Sequence, residues 1–173
     1  MARIERTFFW LTILLLSAGC STNIQATELA DEEKLPSIEL IPQALGASNW
    51  PISTQNSDAQ ALFDQGMQLR WAYNMKEGAR SMATARRADP ECAMCYWGVA
   101  WASGPNINAA LTAEGGEAAH HAIHRALELT DGITEWERAY VEAMAARYDE
   151  DPMTGRARQD SAYARAAVAL ADA

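Results

Sequence analysis

The chain has 173 residues, of which 49% are hydrophobic, and a formal net charge of -9. This composition argues against a wholly disordered polypeptide and against a nucleic-acid binder, which needs basic side chains to neutralise phosphates. Val and Ile together number 12, too few for a large β-sandwich, and no run reaches the roughly 18 apolar residues of a spanning helix.

Residues 1–20 read as an address and not as part of the fold. Arg3 and Arg6 precede the apolar run from Phe8 to Leu16, and Ser17-Ala18-Gly19-Cys20 follows, small residues ending in a cysteine. The pattern resembles a bacterial lipoprotein signal, which implies cleavage before Cys20 and attachment of lipid to it. Ser21 in the next position resembles the outer-membrane sorting choice. An ordinary secretory signal cut nearby is the plainer alternative. On the lipoprotein reading the chain is an outer-membrane lipoprotein of the bacterial envelope, facing the periplasm. Its acidic body would be repelled by anionic lipid, so an acylated Cys20 is the contact with the membrane. Of the three cysteines, Cys92 and Cys95 then remain as thiols in an oxidising compartment.

Residues 21–56 contain Pro36, Pro42, Pro51, Gly46 and an acidic cluster from Glu28 to Glu33. That composition predicts a tether, with at most a short helical piece near Leu40. Leu45, Trp50 and Ile52 are apolar enough to dock on the first helices instead. From Ser57 the spacing of Leu62, Gly66, Leu69, Ala72 and Tyr73 predicts an amphipathic helix capped by Ser57 or Asp58. A second helix is expected from about Lys76 to Ala88. Asp89-Pro90 should end it and open a third, with Asp89 as N-cap and Pro90 in the first helical position, running to Ser103 before Gly104-Pro105. Residues 104–116 read as a long loop with one helical turn at Ala109 to Leu111. A fourth helix is expected from about Glu117 to Leu129. A fifth is opened by a Thr134–Glu137 capping box and reaches Tyr148, and a sixth spans Thr154 to Ala171. The fold class is therefore all-α, with the helices in about three antiparallel pairs over residues 57–173.

These pairs fit the tetratricopeptide template of about 34 residues. Leu62, Gly66, Leu69, Gly78, Met82, Ala85 and Pro90 fall on its small and large positions. Tyr96, Val99 and Ala100 begin a second unit, which Ala119, Ile123 and Ala126 resume beyond the inserted loop. Trp136, Tyr140 and Met144 mark a third. The strings Ala59 to Asn74, Asp89 to Gly98, Gly104 to Asn108 and Glu137 to Tyr148 together resemble a family of bacterial tetratricopeptide-repeat (TPR) proteins with lipoprotein or secretory leaders. The resemblance implies a TPR-like solenoid more than a reaction. The family pattern continues Tyr73-Asn74 with histidine, whereas this chain has Met75, so no role of that histidine carries over. Members are longer, and Tyr163, Ala166, Ala167 and Leu170 form an apolar stripe where a solenoid's last helix should be polar. A truncated copy or gene fragment is therefore expected.

Several residues could carry chemistry. Cys92 and Cys95 stand three apart on a helix, close enough for a disulfide or a shared soft metal. A position in the first helical turn would favour thiolate at Cys92. Met94 and Met75 are further soft ligands suited to copper, while zinc would need two more ligands. The plainer alternative is a structural disulfide or two small packed residues. His120 and His124 share a helix face at the spacing of a two-imidazole metal grip, or are simply solvated. Asn106 and Asn108 either bind something through the long loop or close it against its neighbour. Trp71, Trp97, Trp101 and Trp136 read as inter-helix core rather than a ligand cage. No serine–base–acid set, phosphate loop or paired carboxylate stands out, so no enzyme is implied and no cofactor beyond the copper or zinc just considered. The sequence reads as an anchored module that binds an unidentified protein or peptide through a repeat surface. A thiol-redox or copper-binding module on Cys92 and Cys95 is the alternative.

Overall fold

The computed structural model describes residues 35–41, 46 and 49–172. The leader with Cys20, the following residues 21–34, and Leu45 lie outside the described residues. Six helices and no strand occur among the described residues: α1 (Ser57–Trp71), α2 (Met75–Ala88), α3 (Ala93–Ser103), α4 (Ala113–Glu128), α5 (Glu135–Ala145) and α6 (Arg156–Ala171). Each helix packs on the next in chain order, and α1 also touches α3, as α3 touches α5. No helix among the described residues is long and apolar enough to cross a membrane.

The core lies where α1, α2, α3 and α4 meet, around Phe63, Met82, Cys95, Val99 and Ile123. Burying each larger side chain there contributes about 1.5–3 kcal/mol. Small residues set the helix spacing. A Cβ on Gly66 would stand 2.8 Å from Met82 Cε, and one on Gly98 would stand 2.5 Å from Met82 Sδ. The Met82 thioether is thus gripped between α1 and α3, at positions where close helix approach requires Gly.

Helix starts differ from the sequence expectation for local reasons. Asn56, not Ser57 or Asp58, caps α1. Its Oδ1 accepts from the Asp58 and Ala59 amides at 2.9 and 3.1 Å, while its Nδ2 donates to the Ala88 carbonyl at 2.7 Å. Asp89 closes α2 instead of opening α3. Its carboxylate accepts from the Glu91 amide at 3.1 Å and from the Thr54 hydroxyl, and Pro90 sits in the turn. Cys92 is the N-cap of α3, with Sγ accepting from the Cys95 amide at 3.1 Å. The fourth helix begins at Ala113 and not at Glu117, because Thr112 Oγ1 accepts from the Gly115 amide at 3.0 Å. Gly115 is tolerated inside that first turn because a Cβ there would lie 2.7 Å from the Ser103 carbonyl oxygen. The Thr134–Glu137 capping box forms as expected. The fifth helix stops at Ala145, which frees Tyr148 to bury completely, with its hydroxyl donating to the Ala100 carbonyl at 3.4 Å.

At the end of α1 the amides of Tyr73 and Asn74 donate to the carbonyls of Arg70 and Leu69 at 3.0 and 2.8 Å. This is the Schellman arrangement, and it places Tyr73 at φ 66, a left-handed position that Gly usually fills.

Candidate functional site

Every second helix carries large aromatic side chains, and the fold joins them into one run. Trp97 and Trp101 are one turn apart on α3 and stack at 5.7 Å. Trp136 and Tyr140 are one turn apart on α5, with centroids 5.7 Å apart. Trp71 at the end of α1 meets Trp101 at 6.1 Å, and Trp97 meets Tyr140 edge-on at 5.9 Å. The run therefore reads Trp71, Trp101, Trp97, Tyr140, Trp136 across α1, α3 and α5. Arg70 braces it, with its guanidinium 4.6 Å over the Trp101 ring and donating to the carbonyls of Ala102 and Trp101 at 3.0 and 3.1 Å.

The sequence predicts inter-helix core for these aromatics, but they do not all lie there. Trp97 is buried and Trp101 half-buried, but Trp71 is 74% exposed. Where α6 crosses this face it leaves a cavity of about 150 Å3, lined by Trp97, Tyr140, Met144, Tyr163 and Leu170 among others. The indole N–H of Trp97 is buried and has no acceptor among the described residues. Tyr163, Ala167 and Leu170 of the α6 apolar stripe turn toward the aromatic face but stay only half-buried, and Val168 on the same helix is exposed.

The other end of the run is covered by the chain's own residues 49–54. Trp50 contacts Trp136 at 6.4 Å and Tyr140 at 6.2 Å. Its amide donates to Asp64 Oδ1 at 2.8 Å, and its carbonyl accepts from Gln60 Nε2 at 2.9 Å. The Ile52 amide donates to Gln60 Oε1 at 3.0 Å. The Ser53 amide and hydroxyl both donate to the Glu137 carboxylate, at 2.6 and 2.5 Å. Glu137 is fully buried and also accepts from the amide and hydroxyl of Thr134 at 2.9 and 2.7 Å. Burial pushes its carboxyl up, but the bonds from Ser53 and Thr134 outweigh that and hold it below the usual 4.5. Residues 35–41 lie along α1 and α2, where Thr84 Oγ1 accepts from the Ile38 amide at 3.2 Å and Gln65 Oε1 from the Ile41 amide at 2.7 Å. Leu40 has no helical structure.

The sequence candidates fall in separate places. Cys92 and Cys95 are joined by a disulfide of 2.16 Å, with Cα atoms 5.3 Å apart. Both cysteines and Met94 are buried. Met75 opens α2 while the cysteines follow its far end. At about 1.5 Å per residue the helix separates them by roughly 20 Å, too far to share a metal. His120 and His124 do come together, with ring centroids 4.3 Å apart, and His121 lies 5.7 Å from His120. Burial and the charges of His124 and His121 lower the His120 pKa, against the backbone of Tyr148 and Asp149, which raises it. Among the described residues no three of His, Cys, Asp and Glu form a metal-ligand set. Asn106 is occupied within its loop, its Oδ1 accepting from the Asn108 amide at 2.9 Å, and Asn108 reaches out of the loop to the end of α1. The Asn106 and Ala109 backbones pair at 3.0 and 3.2 Å, where a helical turn is expected from sequence. Asn108 Nδ2 donates to the Tyr73 hydroxyl at 2.7 Å.

Gln60, Asp64 and Glu137 have no counterpart among the sequence candidates. The only sequence signal at Glu137 is its capping box, and its second set of partners comes from 84 residues away. Compared with protein-family models, curated proteins and solved structures, the chain matches none.

Proposed function

We propose that this is a lipid-anchored TPR-like binding scaffold of the bacterial envelope, which takes an extended segment of a protein or peptide on its aromatic face. One observation carries the reading. Aromatic side chains on α1, α3 and α5 form a continuous run, and Trp71 keeps most of its surface in water. A large exposed aromatic costs free energy in water and recovers it against a partner, which is why Trp and Tyr concentrate at binding sites. The helix order supports the repeat reading, since alternate helices touch as stacked helix pairs require. The leader residues quoted above support the anchor. The buried disulfide weighs against thiol exchange as the activity, because attack on either sulfur would first require the turn at Cys92 to open.

The test is a photo-crosslinking amino acid in place of Trp71 in the full-length protein expressed in a bacterial envelope. The expected result is a saturable adduct to a defined polypeptide, lost when Trp101→Ala is added while helical circular dichroism is unchanged. Adducts equally abundant from Arg165, an exposed residue on α6, would overturn the reading, as would no adduct at all.

A further inference from the structure

Asn49 to Thr54 meets the aromatic face in the way a bound peptide would. Its one aromatic ring sits on Trp136 and Tyr140. Its backbone donates and accepts through Asp64 and Gln60. Three residues after the aromatic, a hydroxyl and its own amide end on Glu137. The side-chain partners come from two helices that are not sequential, α1 and α5, so this short segment bridges the face. Two of its three polar receptors are carboxylates, which take N–H and O–H donors and repel acidic residues. A partner segment must satisfy the same groups, because displacing Ser53 leaves the buried Glu137 short of two of its four donors.

We infer that residues 49–54 are a built-in ligand of this face, and that the external partner is a non-acidic segment with an aromatic residue followed three places later by Ser or Thr. The inference rests on the reading of the face as a binding surface and specifies what it recognises. The internal segment is tethered, so it competes at high effective concentration, and an outside peptide binds only in proportion to the fraction of molecules in which it is released.

The experiment uses the full chain and a fluorescein-labelled peptide of the sequence Asn49 to Asn56, followed by fluorescence anisotropy. Trp50→Ala is expected to bind this peptide about tenfold or more tightly than the unaltered protein. Adding Trp136→Ala should remove that binding, and a scrambled peptide should not bind. If Trp50→Ala disturbs the helical circular dichroism, Ser53→Ala, which removes only a hydroxyl, carries the same comparison. Equal affinity of the unaltered and variant proteins, or no binding to a variant with native dichroism, overturns the inference. A Trp71 crosslink together with a failed peptide titration would sink this inference and leave the binding reading standing. A successful titration without any crosslink would keep residues 49–54 as a ligand of the face but overturn the binding reading and, with it, the external partner.

Discussion

His120 shows how one partly buried ring couples the fold to acidity. Its neighbours are His124 and His121 on the same helix and the backbone of Tyr148 and Asp149 beyond α5, and burial is the largest influence on it. The folded-state pKa lies below the ordinary 6.5, so near that pH the unfolded chain binds more protons than the folded one. Stability is therefore complete above about 6.5 and falls as the pH drops through the lowered folded value. Thermal melts between pH 7.5 and 5 should show that decline, and His120→Gln should flatten it. An unchanged slope in the variant would mean that other groups set the acid response. Glu137, held below the usual 4.5 by four donors to its charged form, acts in the same direction at lower pH, its contribution being lost as the carboxylate protonates.

At the scale of elements, helix spacing depends on what fits between neighbours. Met82 is enclosed by Gly66 on one side and Gly98 on the other, so a new methyl on either pushes its side-chain end toward the other. Gly98→Ala should cost about 1–3 kcal/mol, from overpacking in a closed site. Denaturant melts would measure it, and adding Met82→Ala should return part of the loss, since the two residues are in contact. If Gly98→Ala melts like the parent, α1 and α3 are not held apart by this side chain. The small-residue positions behind this argument are legible in the sequence, as are the six helices and the capping box at Thr134, because periodicity and local capping carry that information. The start of α3 is not. Asp89-Pro90 has the local chemistry of a helix opening, but Thr54 takes the Asp89 carboxylate, a contact between residues far apart in sequence. The site is less legible still. Trp71, Trp97, Trp101 and Trp136 are obvious as residues, but periodicity does not say which of them stay in water. Gln60 and Asp64 look like an ordinary polar helix face until Trp50 pairs with them.

Across the whole molecule, the segment at Trp50 joins helices that are distant in chain order. In an open stack of helix pairs each unit touches only its neighbours, so the ends fray independently. Here Ser53 ties the chain just before α1 to α5, closing the stack upon itself. Amide hydrogen exchange should therefore show α1 and α5 opening together in the parent protein. Glu137→Gln, which removes the charged acceptor, should let α5 and α6 exchange earlier than α1 and α2. If α5 already exchanges independently of α1 in the parent, the contact does not couple the two ends. The same closure has a timetable. Ser53 leaves the ribosome 84 residues ahead of Glu137, an interval of roughly 4–17 s at ordinary rates of synthesis. For those seconds a nascent molecule cannot make its own closing contact, because Trp136 and Glu137, which receive the segment, are not yet built.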